Sequence, residues 1–278
     1  VQALHLTFSA EGRGALFPSE ALRRQAVRTL ARVAGADLLL FCVVDDHVHA
    51  VLFCDAHRVG LRARSFLLAL RAIAGTPLLP AHVRPVDGRS HLLWLVQYCI
   101  RQPSKHDIGV HPALWSGSCF LDLVGARVLD GYAPPLREAL PRLRRRVFFE
   151  HAGLDPTPLT PLSDDALGGV GVMALVGAAA AAFAAPPGLA GNPPLVVQAR
   201  RVAVHLGGIA GFSAASLARA LGVRPNAVHR LRHRPASPAG VDAARRYLAL
   251  EARVAARPLV VAEGPLDNLP WTTGPEPA

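Results

Sequence analysis

Apolar and polar positions alternate with a period of two over Ala3-Leu4-His5-Leu6-Thr7-Phe8, which predicts a strand, and Ser19 then caps a helix reaching about Val33. Two apolar runs follow, Asp37 to Val44 and His47 to Phe53, separated by Asp45-Asp46; they read as a hairpin. Leu61 to Ala74 carries the 3.6-residue spacing of a helix closed by Gly75-Thr76-Pro77, and Ala81 to Val86 is a short strand ended by Asp87-Gly88. A further helix, capped by Ser90, runs through Tyr98 to Gln102 and stops at Pro103. The order β-α-β-β-α-β-α predicts an α+β sandwich, an antiparallel sheet with helices on one face.

Beyond this unit the pattern changes. Pro134-Pro135 and the stretch from Pro156 to Pro161 flank a basic helix expected over Arg137 to Phe149. The chain then reads as wholly helical, with helices at about Leu167–Ala185, Leu195–Leu206, Ser213–Leu221, Arg224–Arg234 and Gly240–Ala256. These breaks divide it into an α+β unit over 1–132, a linker with a basic helix over 133–165, a helical unit over 166–257 and a Pro-rich tail over 258–278. No internal repeat is visible.

Composition narrows the picture. At 51% hydrophobic residues and a mean hydropathy of +0.28 the chain is too apolar for disorder, and 278 residues suffice for two cores. The formal charge of +10 points to an anionic partner, although Lys105 is the one lysine among 30 basic residues, a skew expected of a GC-rich genome. Position matters more than the total: 200–257 holds eleven arginines against Asp242 and Glu251. Such clustering predicts a nucleic-acid-binding surface, with a solvated charged face as the alternative.

Four cysteines without a C-x-x-C spacing argue against a disulfide scaffold and predict a reducing, cytoplasmic setting. No basic-then-apolar leader is evident, and a sequence without an initiator Met leaves the true start open. The uncharged stretch Ala166 to Gly191 is mostly Ala and Gly and is interrupted by Pro186-Pro187, so it predicts a buried helix rather than a membrane span.

Candidate chemistry lies in the first unit. Residues two apart in a strand share a face, so His47 and His49 present two imidazoles side by side while Val48 packs behind them. Tyr98 and Gln102 share a helix face by their i, i+4 spacing. If that face crosses the histidine strand, the Gln102 amide oxygen completes a three-ligand site with His47 and His49, suited to Mg²⁺ or Mn²⁺ as Lewis acid on a phosphodiester. Tyr98 is then the nucleophile, giving a phosphotyrosine linkage and a free 3′-hydroxyl. Zinc competes through Cys42-x4-His47-x-His49-x4-Cys54, but strand parity turns Cys54 away from both histidines. Two ordinary core or surface histidines are the plainer alternative.

Asp46-His47-Val48-His49 with Ala50-Val51-Leu52-Phe53, then Tyr98-Cys99-Ile100-Arg101-Gln102-Pro103, then Leu114-Trp115-Ser116-Gly117-Ser118, resembles in order and spacing the single-tyrosine HUH transposases, nearest the REP-associated tyrosine transposases. The resemblance covers about residues 1–130. It implies a ferredoxin-like fold, a Mg²⁺ or Mn²⁺ site on His47, His49 and Gln102, Tyr98 as nucleophile, and cleavage of single-stranded DNA beside a hairpin. Asp45-Asp46 stands where that family has Pro-Asn, and Gln102 where that branch has Asn. Gly117 departs from its Trp-Ser-Ser segment with no functional reading.

Residues 213–230 read as helix, tight turn at Gly222, then a second helix, the helix-turn-helix pattern. Arg224, Asn226, His229 and Arg230 are the candidates for the major groove of duplex DNA, with Arg232 and Arg234 for phosphates. A helical hairpin with an Arg-rich solvent face is the alternative. With Gln198 to Leu206 before it, the segment resembles the C-terminal DNA-binding domain of the bacterial replication initiator, without that protein's recognition box. The sequence thus predicts a cytoplasmic, nucleoid-associated bacterial strand transferase, monomer or homodimer. A catalytically silent DNA-binding regulator and an RNA-binding protein remain as alternatives.

Overall fold

The computed structural model describes residues 2–12, 14–106 and 109–256. The expected tail over 258–278 lies outside the described residues. Four strands, β1 (Gln2–Ser9), β2 (Leu38–Val43), β3 (His47–Cys54) and β4 (His82–Pro85), form one antiparallel sheet in the order β2-β3-β1-β4. In chain order the helices are α1 (Glu20–Ala34), α2 (Ala56–Arg71), α3 (Gly88–Lys105), α4 (Phe120–Leu123), α5 (Leu136–Ala139), α6 (Arg146–His151), α7 (Asp164–Leu167), α8 (Val172–Ala182), α9 (Pro194–Ile209), α10 (Ala214–Leu221), α11 (Pro225–Arg232) and α12 (Pro238–Ala255).

The sheet is covered on both faces, which corrects the expectation of helices on one. Leu4, Leu6 and Phe8 of β1 are buried beneath α1 and α2, with Phe8 edge-on to Phe66 of α2 at 6.1 Å. His5 and Thr7 point to the opposite face, where α3 lies. Register fixes the companions of that second face: Thr7 opposes His49, Ser9 opposes His47, and Cys42 opposes His49 from the other side.

The outer edge of β2 does not meet solvent. Val43 N donates to Gly117 O, Cys119 N to Phe41 O, and the indole Nε1 of Trp115 to Val43 O at 2.8 Å. Here Gly117 acquires its reason: a Cβ at this position would sit 2.2 Å from Val43 O, so only glycine lets the segment run against the strand. Covering the edge removes a template for intermolecular strand pairing.

Several element bounds differ from expectation. α2 begins one turn earlier, directly after Asp55. α3 starts at Gly88 rather than at Ser90 and continues past Pro103 to Lys105, since a proline in the last turns forfeits only its own N–H bond. The basic helix expected over 137–149 is two short helices, α5 and α6, because Pro141 cannot continue the first. The helix expected from Leu167 to Ala185 is interrupted at Gly168, Gly169 and Gly171 into α7 and α8.

Two hydrophobic cores result. One lies on the sheet and extends through residue 159; the other is built around α8, whose buried Leu175, Val176 and Ala178 to Ala182 face α9 and α12. The uncharged stretch is thus a core helix, and no helix among the described residues is long and apolar enough to cross a membrane. The segment at 155–162 is not a free linker. Arg253 donates to the carbonyls of Asp155, Thr157 and Pro158, Arg246 to Leu159 O and Arg245 to Leu162 O, lashing the segment along α12.

Candidate active site and basic surface

β3 and α3 bring His47, His49 and Tyr98 together on the second sheet face. The Tyr98 hydroxyl lies 3.3 Å from Nε2 of His49, and the two rings are 5.0 Å apart. Trp94, one turn back on α3, stacks on the phenol at 4.7 Å and an interplanar angle of 23°, which fixes its tilt. Lys105 places its Nζ 5.8 Å from the same ring centroid, a cation where a phenolate would develop.

His49 is buried and its ring is held from behind: Nδ1 lies 3.1 Å from His5 Nε2 and 3.4 Å from Thr7 Oγ1. Burial drives His49 well below its usual pKa, with the charges of His47, His5, His106 and Lys105 adding to the effect. Burial likewise pushes His5 down to about 4, aided by His91, Arg84, His82 and His47. Both rings are therefore neutral at pH 7, and in the tautomer in which His49 Nδ1–H donates to His5 Nε2, His49 Nε2 is a lone-pair acceptor facing the phenol.

His47 sits nearer the surface, its ring centroid 4.5 Å from that of His49. Its Nδ1 is 2.7 Å from Asp46 Oδ1. Partial burial raises the Asp46 carboxyl, but the charge of His47 and its hydrogen bond outweigh this and hold the group below its usual range.

Gln102 is 1% exposed, and neither of its side-chain polar atoms has a hydrogen-bond partner. A buried carboxamide without partners costs about 1–3 kcal/mol, which a ligand accepting or donating at Gln102 would offset. It lies midway on one helical stripe between Tyr98, which meets His49, and His106, whose ring is 5.0 Å from that of His47. His47 and His49 stand side by side, whereas Gln102 shares the Tyr98 helix stripe and makes no hydrogen bond to either imidazole; by donor type the three suit a divalent cation.

The sequence did not single out several participants: His5, Thr7, Trp94, Lys105, Asp46 as a ligating carboxylate, and His106. His106 stands four residues beyond Gln102 on the same stripe, a signal present in the spacing. His5 required the register of β1 against β3, which spacing does not carry. No cysteine joins the cluster. Cys42, Cys54, Cys99 and Cys119 are buried free thiols, and the one close group of ligating side chains among the described residues is Asp46, His47 and His106.

The second predicted surface lies on the helical unit. Ser213 caps α10 through the Ser216 amide, Gly222 takes the left-handed conformation (φ 61°) that ends it, and Pro225 opens α11. Arg224, Asn226, His229, Arg230, Arg232 and Arg234 are all exposed, and the first four border one depression. Arg232 also reaches Phe212 O at 3.1 Å. Of the other arginines counted in this region, Arg200, Arg245, Arg246 and Arg253 make hydrogen bonds within the fold, so the outward charge concentrates around α11.

Comparison of the chain with family models, with curated proteins and with solved structures found no match.

Proposed function

We propose that the chain is a metal-dependent single-stranded DNA endonuclease and strand transferase of the single-tyrosine HUH type, acting on hairpin-forming DNA and anchored by a helix-turn-helix unit on duplex. The observation that carries this reading is the Tyr98 hydroxyl 3.3 Å from His49, whose ring lies beside that of His47. The sheet order and the β-α-β-β-α-β succession agree with the ferredoxin-like arrangement that the sequence motifs imply.

His47, His49 and Gln102 would hold Mg²⁺ or Mn²⁺, which when bound polarises a phosphodiester oxygen and favours the phenolate. Trp94 and the i, i+4 geometry of α3 aim the Tyr98 oxygen. That oxygen attacks phosphorus, the P–O3′ bond breaks, and the departing 3′ oxygen takes up a proton. One phosphodiester replaces another, so the energy needed for rejoining is retained in the phosphotyrosine. Lys105 offsets the negative charge gathered near the phenol.

Incubating a labelled DNA hairpin with the protein and Mn²⁺ tests the assignment. A covalent adduct that survives denaturation and disappears in Tyr98→Phe supports it. No adduct with any of a range of DNA hairpins, alongside retained duplex binding, replaces it with a DNA-binding regulator.

A further inference from the structure

We propose that Asp46, His47 and His106 form a second transition-metal site, one that shares only His47 with the set His47, His49 and Gln102: a carboxylate and two imidazoles that take Mn²⁺, Co²⁺ or Zn²⁺. The three side chains offer ligand atoms that all lie within 4.8 Å of one another. Asp46 Oδ1 is 2.7 Å from His47 Nδ1 and 3.9 Å from His106 Nδ1, and the two imidazole rings are 5.0 Å apart. Ligands bound at roughly 2.1 Å around one ion stand about 3.0–3.4 Å apart, so these separations bracket those of a coordination sphere and small side-chain movements close it.

Three independent features favour a cation there. Asp46 supplies a formal negative charge that the set His47, His49 and Gln102 lacks. His106 is the C-cap of α3, an 18-residue helix whose carbonyl end carries partial negative charge. And each ligand retains an outward path, since Asp46 is exposed and both histidines are half-buried, which leaves positions for water or a phosphate oxygen. Two imidazoles with a carboxylate suit a borderline ion such as Mn²⁺, Co²⁺ or Zn²⁺. His49 stands outside this triad: its Nδ1 is turned to His5 and Thr7 and its Nε2 to Tyr98. Because only His47 is common to both sets, changes at Asp46 and His106 report on this site and changes at His49 and Gln102 on the proposed nuclease set.

Titration of the full-length, untagged protein with Co²⁺, followed by visible absorbance and calorimetry, tests the assignment. The expected result is tight Co²⁺ binding that depends on Asp46 and His106. Affinity should fall at least about tenfold in Asp46→Asn and in His106→Phe and change little in His49→Ala and Gln102→Ala; even outer-shell partners act on that tenfold scale. Circular dichroism of each variant reports folding, and Asp46→Asn, an isosteric surface change, keeps the test valid if His106→Phe misfolds. No Co²⁺ binding, loss confined to His49→Ala and Gln102→Ala, or equal loss in all four variants overturns it. The adduct assay in Mg²⁺, read separately, bears only on the proposed nuclease.

Discussion

Tyr98 Oη and His49 Nε2 lie 3.3 Å apart across the sheet–helix boundary, though 49 residues separate them in the chain. Replacing Tyr98 by Phe removes the hydroxyl contact to His49 and little packing volume, so stability should change by about 0.5–1.5 kcal/mol while adduct formation vanishes. Thermal melts and denaturing gels on the same preparation check both halves. A variant that still forms adduct, or that unfolds, contradicts this role.

Gly117→Ala should be among the most damaging small changes in the α+β unit. Its methyl would meet Val43 O and the Trp115 indole, with backbone on one side and a buried ring on the other. Overpacking of this kind costs about 1–3 kcal/mol. Urea unfolding at constant m-value measures it, and a loss under ~0.5 kcal/mol would show that the edge segment shifts freely.

Arg127 holds the same segment from beneath. It donates to Ser116 O at 2.7 Å, to Ser118 O at 2.6 Å and to both oxygens of Asp122, with side chains 1% and 4% exposed. Arg127→Met leaves a buried carboxylate and two carbonyls unpaired, and should cost about 3–5 kcal/mol. The double change with Asp122→Leu should recover part of that loss in a denaturation cycle, since the stranded charge is then gone.

On the helical unit, Arg224→Ala and Arg230→Ala should each weaken duplex binding and lower the log–log salt slope by about one for every phosphate the arginine had neutralised. Arg253→Ala is the control. Its guanidinium binds the carbonyls of the 155–158 stretch, so it should lower the melting temperature and leave the salt slope unchanged. Fluorescence anisotropy across a salt series distinguishes the two.

Acid should loosen the fold. Burial holds His91 and His111 below the ordinary histidine value, and each accepts a backbone N–H at Nδ1, from Asp87 and from Ala113, which requires the unprotonated ring. A depressed histidine contributes stability that is present above the unfolded pKa of about 6.5 and is lost as pH falls below it. Melting temperature should therefore drop between pH ~7 and pH ~5, and the slope should flatten in His91→Phe with His111→Asn. An unchanged slope in that double variant removes these two rings from the account.

Much of this arrangement is legible in the sequence because it is local. Ser19 and Ser213 cap their helices through the hydroxyl, as their positions before apolar periodic runs imply, and Gly222 turns where the chain needs a positive φ. The i, i+2 and i, i+4 spacings put His47 with His49 and Tyr98 with Gln102 on common faces. What spacing does not encode is the side of the sheet to which a helix crosses. The stripe His5, Thr7, Ser9 reads as a solvent face, and α3 nevertheless lies over it. Pro141 is the visible exception: it breaks the basic helix by its missing N–H, and apolar periodicity alone passes over it.

The end of α8 and the residues just after it are fastened to the α+β unit: Arg24 and Arg28 of α1 donate to Ala185 O at 2.7 Å and to Ala184 O, and Val128 N donates to Ala182 O at 2.7 Å. Carbonyls that a helix end would otherwise leave open are closed by the neighbouring unit. Under the proposed function the molecule behaves as a caliper of set span. A duplex gripped at α11 would offer its adjoining strand to Tyr98 at one distance only, so adding base pairs between grip and cut should uncouple them in steps of a helical turn.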